Sequence, residues 1–528
     1  MSYKVLVSDP LADEGVDILR GFCEVDVKTG LSEDELVKII GEYDGLLVRS
    51  GTEVTAKVIN AAGKLKFIGR AGAGVDNIDL DPATKRGIIV ANAPAGNTLA
   101  ACEHTLAMMA SLARNIPQAT ASVKKGEWKR SKFMGVELNE KVLGIVGFGR
   151  IGQELAKRAN ALEMKVVAYD PYINAERAKE LGVEVMTLEQ LFPVADFITV
   201  HTPLIKETKH LINTKTIATM KDGVRIINCA RGGIINENDL YDAIVSGKVA
   251  GAAIDVYEEE PPENSKIITL DNVITTPHLG ASTVEAQQNV SVSVAKQCIE
   301  VLKGGSAKFV VNAPMVPPDQ QERIEPFAIL AQKMGKLLIQ LVEGRIESVE
   351  IEYGGKAADF GHASKYVTRL ALKGLLDPIL QTPVNIVNAE FAATERGIRV
   401  SETIAKESLG FTNLITITVK TDLMTETVSG NVSSPEKLRI VKIGDYMTDM
   451  TPGGDVIISR HHDKPGVIGK FATITGEHNI NIAGMQVGRN KPGEEAVMVL
   501  NVDSAVPQEA MDEILKIDGV FTAKYANI

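Results

Sequence analysis

The glycine-rich stretch "VLGIVGFGRIGQELAKRA", residues 142–159, constrains the fold of this chain most tightly. Gly147, Gly149 and Gly152 form the pattern G-x-G-x-x-G. Glycine loses more conformational freedom on folding than any other residue, so such a cluster indicates a backbone geometry that other residues avoid. The apolar run at 142–146 predicts a strand, and residues 153–159 predict a helix. This succession of strand, glycine turn and helix is the dinucleotide-binding fingerprint.

The next predicted strand indicates which dinucleotide binds. In the fingerprint, the backbone of the glycine turn approaches a pyrophosphate at the helix N-terminus. The strand in "KVVAYDPY" ends at Asp170, about 20 residues further on, where an acid accepts hydrogen bonds from ribose hydroxyls. An acid repels a 2′-phosphate, and Pro171 and Tyr172 follow it rather than an arginine. The sequence therefore favours NAD over NADP, and a glycine-rich loop without a ligand is the weaker alternative.

Length, charge and cysteine spacing exclude several other classes. A chain of 528 residues is too long for one core and predicts three or four domains. The net charge is −11 and no run of lysine or arginine stands out, so we expect neither a nucleic-acid nor a membrane partner. The four cysteines lack C-x-x-C spacing, which predicts no disulfide framework, no metal site and a reducing cytoplasm. No leader or membrane-spanning run is expected.

Hydrophobic patterning divides the chain into α/β and α+β regions. The first ninety residues alternate short apolar strands with helical stretches, which is typical of a parallel sheet covered by helices. A long helix is expected to begin at Asn97 or Thr98, with Leu99, Cys102, Leu106 and Met109 on one stripe. A helix over 284–303 then leads to the proline-rich boundary "NAPMVPP" at 312–318.

Beyond this boundary the pattern predicts two α+β units. The first contains a helix with one apolar stripe, formed by Phe327, Leu330, Met334, Leu337 and Leu341. Lys437, Arg439 and Lys442 in that unit either hold an anion or are alternating charges on an edge strand. After "TPGG" at 451–454, the order strand, helix, strand, strand, helix, strand predicts a ferredoxin-like βαββαβ module.

Three predicted strand ends carry complementary chemistry: Arg231 in "NCARGG", Glu260 in "DVYEEEPP" and His278 in "TTPHLGAS". Oxidation of a 2-hydroxy acid by NAD requires a base for the hydroxyl proton and a cation for the carboxylate. Histidine suits the base, a neighbouring carboxylate favours its charged form, and arginine binds a carboxylate in bidentate fashion. Each residue alone has an ordinary explanation as a turn residue, a solvated acid or a surface ion-pair partner. The upstream fingerprint favours the catalytic interpretation.

These motifs together resemble one known family. Residues 1 to about 310 resemble the D-isomer-specific 2-hydroxyacid dehydrogenases, through "LLVRSGTEV", "RAGAGVDNIDL", "VLGIVGFGRIGQ", "NCARGGIINE", "DVYEEEPP" and "TPHLGASTVEAQ" in order. The whole chain resembles the long-form members that act on 3-phosphoglycerate. The resemblance implies that His278 is the acid/base, Glu260 its partner and Arg231 the substrate anchor. A departure is Ala73, where some relatives carry a threonine near the nicotinamide.

The resemblance also assigns binding residues. It implies NAD contacts at the fingerprint glycines and at Arg150, Ile151, Asp170, Thr202, Cys229, Asp255 and Gly280. It implies substrate contacts at Arg49, Arg70 and Gly74, and at Arg130 and Lys132, the last pair acting across a dimer interface. A merely solvated basic loop is the alternative for that pair.

The fold implied by the resemblance is a Rossmann-type NAD domain inserted in a flavodoxin-like α/β substrate domain, followed by two α+β regulatory domains. The expected bounds are 1–95 with 285–312 for the substrate domain, 96–284 for the NAD domain, 313–450 for an intervening allosteric substrate-binding domain and 455–528 for an ACT domain. The ACT resemblance places an effector, serine, at His461, Asp463, Gly466 and Asn481 where two such domains pair. The alternative is that His461 and Asp463 cap the following helix.

The function implied is oxidation of 3-phosphoglycerate to 3-phosphohydroxypyruvate with NAD, the entry to serine synthesis, in a cytoplasmic homotetramer restrained by serine. One rival is a dehydrogenase of glycerate, lactate or 2-hydroxyglutarate. Another is an NAD-sensing regulator that keeps the fold and binds a partner protein. Arg49 and Arg70 argue against the first, and the amino-acid-sensing tail argues against the second.

Asp170→Ala is expected to relax the preference for NAD over NADP, because the variant no longer repels a 2′-phosphate. The measurement is kcat/KM with each cofactor. An unchanged ratio would show that Asp170 does not face the ribose.

Overall fold

The computed structural model describes residues 3–314, 316, 320–405 and 408–528, and these form four β-sheets. The predicted fold class is confirmed: the first two sheets are parallel with helices around them, and the last two belong to α+β units. Two of the boundary prolines, Pro317 and Pro318, lie outside the described residues. Among the helices of the described ranges, none has the length and apolar character needed to cross a membrane.

The first sheet is a five-stranded parallel layer. Its strands are β1 (Lys4–Val7), β2 (Glu24–Val27), β3 (Gly45–Val48), β4 (Phe67–Arg70) and β5 (Ile89–Asn92). Its helices are α1 (Asp13–Arg20), α2 (Glu33–Ile39), α3 (Ala56–Ala61) and α4 (Leu80–Lys85). The order β2-β1-β3-β4-β5 is the flavodoxin-like one. Strands β3 and β4 end immediately before Arg49 and at Arg70, so both arginines reach the carboxyl edge of this sheet.

The second sheet has seven parallel strands. They are β6 (Val142–Val146), β7 (Lys165–Tyr169), β8 (Glu184–Val185), β9 (Phe197–Val200), β10 (Val224–Asn228), β11 (Val249–Ile254) and β12 (Val273–Thr275). The helices are α5 (Thr98–Arg114), α6 (Ile116–Lys124), α7 (Arg150–Ala161), α8 (Ala175–Glu180), α9 (Leu188–Leu191), α10 (Thr214–Thr219) and α11 (Glu237–Val245). The order β12-β11-β10-β9-β6-β7-β8 reverses between β6 and β9, which is where Rossmann folds bind a dinucleotide.

Helix α12 (Val284–Leu302) returns the chain to the first sheet. Its buried face, including Val290, Val294 and Cys298, joins the core formed by β1, β3 and β4. Helix α5 begins at the predicted position, with Cys102 and Met109 buried. Leu99 departs from the buried part of the predicted stripe: it is 53% exposed, whereas Ala100 and Ala101 beside it are buried.

The third sheet is mixed and has six strands. The elements are α13 (Gln321–Leu341), β13 (Ile346–Gly355), α14 (Ser364–Leu376), α15 (Ala389–Glu395), β14 (Arg399–Ile404), β15 (Asn413–Thr421), β16 (Thr425–Ser434), β17 (Lys437–Ile443) and β18 (Tyr446–Met450). The predicted apolar stripe of α13 is buried in full. The edge-strand prediction for residues 437–442 is wrong, because β17 lies between β16 and β18. Arg439 pairs with Asp449, Nε to Oδ1 3.5 Å.

The fourth sheet is antiparallel, in the order β20-β21-β19-β22. Its elements are β19 (Asp455–His462), α16 (Val467–Glu477), β20 (Ile482–Arg489), β21 (Glu495–Val502), α17 (Gln508–Leu515) and β22 (Val520–Asn527), which confirms the βαββαβ prediction. Helices α16 and α17 cover one face, and the other face packs on α13. Five short 3₁₀ helices complete the described elements: Ile40–Glu42, Arg130–Phe133, Lys266–Thr269, Lys356–Ala363 and Asp377–Ile379.

Helices α13 and α14 approach each other at two glycines. A Cβ at Gly335 would overlap the carbonyl oxygen of Ala371, and a Cβ at Gly374 would overlap the carbonyl oxygen of Gln332. Both obstacles are backbone atoms, which cannot rotate away as a side chain can. Only glycine at these two positions allows this helix separation.

Gly374→Ala is expected to destabilise this unit by about 1–3 kcal/mol, the usual cost of overpacking a core. Gly476→Ala is the control: Gly476 also lies in a helix, but nothing stands within 4 Å of its added Cβ. Alanine there should be neutral or stabilise by up to about 1 kcal/mol. Thermal unfolding followed by circular dichroism compares the two, and equal melting temperatures would contradict the close packing.

Candidate active site

The carboxyl edges of the first two sheets enclose a cleft of about 500 Å³. The cleft is lined from both sides, and six of the predicted site residues lie on its wall: Arg49, Arg70, Gly74, Arg231, Glu260 and His278. Loops at the carboxyl ends of parallel strands are where ligands of α/β sheets bind. The structure therefore brings together, in one cavity, the residues that the sequence analysis assigned to the acid/base, its partner and the anion anchors.

Glu260 and His278 form a hydrogen-bonded pair. Glu260 Oε2 lies 2.8 Å from His278 Nδ1, and Glu260 Oε1 accepts from the Tyr257 amide at 3.1 Å. Burial raises the pKa of the Glu260 carboxyl, but the hydrogen bond and charge of His278 outweigh it, so this pKa lies below its ordinary value. The carboxylate is ionised and only accepts, which places the proton on Nδ1 and leaves Nε2 for proton exchange. The His278 side chain is 48% exposed and so accessible from the cleft.

The loop that carries His278 has an unusual backbone and a buried support. His278 has φ 54°, in the left-handed region that non-glycine residues rarely adopt. Its amide donates to the carbonyl of Asp255 at 2.9 Å. The carboxylate of Asp255, fully buried, accepts from the amides of Leu279 at 2.7 Å and Gly280 at 2.9 Å. Asp255 thus fixes three consecutive residues of the loop.

Two further side chains keep the Asp255 carboxylate charged. Thr276 Oγ1 donates to Asp255 Oδ1 at 2.6 Å, and His104 Nε2 lies 3.1 Å from the same oxygen. Burial raises the pKa of Asp255, but the hydrogen bonds of His104, Thr276 and the Leu279 amide more than offset this, and the pKa is lowered. His104 and Cys229 stand within 4.8 Å of Asp255, a spacing that also suits a metal ion. Hydrogen bonding accounts for the cluster, and burial raises the pKa of the Cys229 thiol to about 12, so that thiol is neutral.

Arg231 reaches the cleft from the loop after β10. Its Nε lies 3.2 Å from Asp76 Oδ2, and its Nη1 donates to the carbonyl of Ala230 at 2.7 Å. A Cβ at Gly74 would overlap Arg231 Nη2, so the guanidinium lies directly against the backbone of the unit built on the first sheet. We call this unit the first lobe and the unit built on the second sheet the second lobe. Asp76 was not predicted from the sequence.

Arg70 and Arg49 add positive charge to the same wall. Burial, together with repulsion from Arg231 and Arg49, lowers the pKa of the Arg70 guanidinium to about 10, while Asp76 acts in the opposite direction. Arg70 Nε is buried without a hydrogen-bond partner among the described residues. A buried cation with an unpaired donor is stabilised by an anion, so this wall suits a ligand with more than one negative charge.

The fingerprint loop has the shape that a pyrophosphate requires. Gly147 has φ 98°, and a Cβ there would stand 2.6 Å from the carbonyl oxygen of His201. A Cβ at Gly152 would overlap the carbonyl of Gly147, whereas nothing stands within 4 Å of a Cβ at Gly149. The turn, the close helix approach and the open backbone therefore occur at the three expected glycines. Arg150 and Ile151 follow as the first residues of α7.

Of the other predicted NAD contacts, Asp170 and Thr202 lie beside this loop, whereas Cys229 and Gly280 lie beside Asp255. Asp170 follows β7 and accepts from the amides of Phe148 at 2.8 Å and Tyr172 at 2.8 Å, which fixes its carboxylate beside the glycine turn. Thr202 follows β9, and its Oγ1 is buried with no partner among the described residues. An unpartnered buried hydroxyl at the reversal point of the sheet fits a bound dinucleotide. Cys229 and Gly280 are buried beside Asp255.

Two of the predicted substrate residues do not reach this cleft within one chain. Arg130 and Lys132 lie on the exposed 3₁₀ helix Arg130–Phe133, outside the cavity lining. Within one chain, Arg130 and Lys132 therefore match the solvated basic loop that was the alternative for this pair.

The predicted effector residues do not form one site within a single chain. His461 is 1% exposed and packs against Phe471 of α16, with ring centroids 6.3 Å apart. Asp463 accepts from Arg489 at 2.6 Å instead of capping α16, whose N-cap is Gly466 with φ 95°. Asn481 donates to Asp503 at 2.7 Å, at the opposite end of the sheet, because β19 and β20 run in the same direction on either side of β21.

Family models match three parts of the chain. Residues 106–280 match the NAD-binding domain of D-isomer specific 2-hydroxyacid dehydrogenases. Residues 323–444 match the D-3-phosphoglycerate dehydrogenase intervening domain, and residues 456–519 match the ACT domain.

Similar proteins agree with these matches. A D-3-phosphoglycerate dehydrogenase of Archaeoglobus fulgidus is 46% identical, covering 99% of this chain and 100% of its own. That of Bacillus subtilis is 44% identical, covering 100% of both chains. A solved D-lactate dehydrogenase of Aquifex aeolicus, complexed with NAD and lactic acid, is 29% identical with a TM-score of 0.52, covering 57% of this chain and 96% of its own.

His278→Ala is expected to lower kcat by about 100-fold or more, because the variant has no group to take the hydroxyl proton. His210→Ala is a matched control: His210 also has a positive φ, 52°, and also pairs with a glutamate, Glu258, at 3.4 Å, but it lies outside the cleft. Steady-state NADH production compares the two variants. Near-normal turnover of His278→Ala would remove His278 from the mechanism.

Proposed function

Because the chain belongs to the D-3-phosphoglycerate dehydrogenase family of NAD-dependent oxidoreductases, we propose that it oxidises 3-phospho-D-glycerate to 3-phosphohydroxypyruvate. The observation that carries this proposal is the composition of the cleft. It combines the Glu260–His278 pair with three arginines, which suits a 2-hydroxy acid that bears a second anionic group. A substrate with only a carboxylate would leave two of these cations unpaired.

The residues divide the reaction between them. Arg231 binds the carboxylate and so places C2 beside His278. Nε2 of His278 takes the hydroxyl proton as the C2–O bond becomes a carbonyl, and Glu260 stabilises the imidazolium that results. When bound, NAD would supply the acceptor for the hydride that leaves C2. Gly147, Gly149, Asp170 and Thr202 would hold the cofactor at the reversal of the second sheet.

The phosphate group would pair with Arg49 and Arg70, at the ends of β3 and β4. The assignment of Arg70 to the phosphate is supported by its buried guanidinium, whose Nε has no hydrogen-bond partner among the described residues. Arg130 and Lys132 would complete this subsite from a second copy of the chain, since within one chain they lie outside the cleft. This contribution requires a homo-oligomer, for which we propose a tetramer.

The ACT domain would sense serine, the amino acid at the end of the pathway that this reaction enters. Asp463 offers an acid for an ammonium group, Gly466 exposes backbone, and Asn481 offers an amide for a carboxylate. Asp463 and Asn481 lie at opposite ends of the fourth sheet, so a shared site needs two ACT domains paired in opposite directions. The four cysteines are buried free thiols, which suits the reducing cytoplasm.

We propose the domain bounds 1–95 with 285–312, 96–284, 313–450 and 455–528. The packing of α12 on the first sheet supports the discontinuous first domain. The family matches at 106–280, 323–444 and 456–519 each lie within one of the other three.

NADH production with 3-phosphoglycerate should exceed that with D-glycerate by about 100-fold or more in kcat/KM, because the phosphate adds charge-assisted hydrogen bonds to two arginines. D-Lactate and 2-hydroxyglutarate serve as further comparisons. Serine added to the same assay should lower the rate. Equal rates with phosphorylated and unphosphorylated acids would assign the chain a different substrate.

A further inference from the structure

The guanidinium of Arg231 is fixed by a residue from the opposite lobe. Asp76 Oδ2 lies 3.2 Å from Arg231 Nε, and Arg231 Nη1 donates to Ala230 O at 2.7 Å. A guanidinium is planar and carries its five hydrogens in fixed directions. The charge of Asp76 and the bond from Nη1 to Ala230 O together restrict the guanidinium, and its other N–H groups can bind a carboxylate.

Gly74 completes this arrangement. A Cβ at Gly74 would overlap Arg231 Nη2 and would lie 2.8 Å from Asp76 Oδ2. The loop of residues 74–76 thus supplies both the space for the guanidinium and the negative charge beside it. Asp76 follows β4 of the first sheet, whereas Arg231 follows β10 of the second, so the contact crosses the cleft.

Stability does not explain this ion pair. The side chain of Asp76 is 76% exposed and that of Arg231 is 30% exposed. Ion pairs between exposed groups contribute little to folding, because water solvates both partners in their absence. Removal of Asp76 should therefore leave the fold intact and affect the orientation of Arg231.

We propose that Asp76 is a positioning residue, whose carboxylate pairs with Arg231 across the cleft and so sets the carboxylate anchor for the substrate. Asp76 itself does not touch the reacting atoms. Since Arg231 and Asp76 belong to different lobes, the oriented anchor exists only when the lobes face each other as they do here. This inference deepens the proposed function, because it rests on Arg231 as the anchor of the 2-hydroxy acid.

The test compares Asp76→Ala with Asp76→Asn in steady-state NADH production. Asp76→Ala removes the charge beside Arg231, so KM for the hydroxy acid should rise by about fivefold, as expected for an ion pair between partly exposed groups. Asparagine keeps the size of the side chain without its charge, so Asp76→Asn should raise KM to a similar extent. KM for NAD should not change in either variant.

Two comparisons separate positioning from other roles. The KM increase in Asp76→Ala should be equal for 3-phosphoglycerate and D-glycerate, since both carry the carboxylate that Arg231 binds. In an Arg231→Lys background, whose ammonium group has no plane to orient, Asp76→Ala should add little. Asp81→Ala is the control, because Asp81 is an exposed acid of the same lobe, in α4.

Three outcomes would overturn the proposal. An unchanged KM in Asp76→Ala would show that Arg231 is oriented without Asp76. A lower KM would show that Asp76 competes with the substrate for Arg231. An unaltered KM in Asp76→Asn beside a raised KM in Asp76→Ala would show that the charge of Asp76 is not what holds Arg231. If the unaltered enzyme oxidises another 2-hydroxy acid but not 3-phosphoglycerate, the proposed function fails, and the same variants assayed on that acid still decide the role of Asp76.

Discussion

The buried carboxylate of Asp255 is the constraint on which the catalytic end of the molecule depends. A charge removed from water is costly unless hydrogen bonds replace the lost solvent. Asp255 receives such bonds from the loop that follows β12, from Thr276 and from His104 of α5. These bonds hold His278 in a left-handed conformation and bring its ring to Glu260. One satisfied buried charge therefore links helix α5 to the loop that carries His278.

The division of labour between the lobes follows from sheet topology. Both sheets are parallel and present their carboxyl ends to the same cleft. The first lobe contributes cations, Arg49 and Arg70, whereas the second contributes the Glu260–His278 pair and the reversal point at which the glycine turn lies. Arg231 and Asp76 join the two across the cavity. Catalysis by this arrangement needs both lobes in register, so the distance between them is part of the site.

Much of this could be predicted from the sequence, since local patterns determine it. The glycine turn, the strands that precede each catalytic residue and the stripe of α13 were each encoded within about 20 residues. The contacts of Asp76 and His104 could not be predicted, because their partners lie 155 and 151 positions away, at Arg231 and Asp255. Local sequence patterns also do not determine the order of strands in a sheet. For this reason β17 was predicted at an edge, whereas it lies between β16 and β18. Asp463 and Asn481 were grouped by motif, while the sheet separates them.

The central claim is that His278, Glu260 and Arg231 face one substrate together in the cleft. A crystal structure of the dead-end complex with NADH and 3-phosphoglycerate tests it most directly, because neither molecule can react with the other. The account predicts the substrate carboxylate on Arg231 and the C2 hydroxyl within hydrogen-bond distance, about 3 Å, of His278 Nε2. A substrate bound with C2 remote from His278, or with its carboxylate on Arg49 and Arg70, would contradict the account.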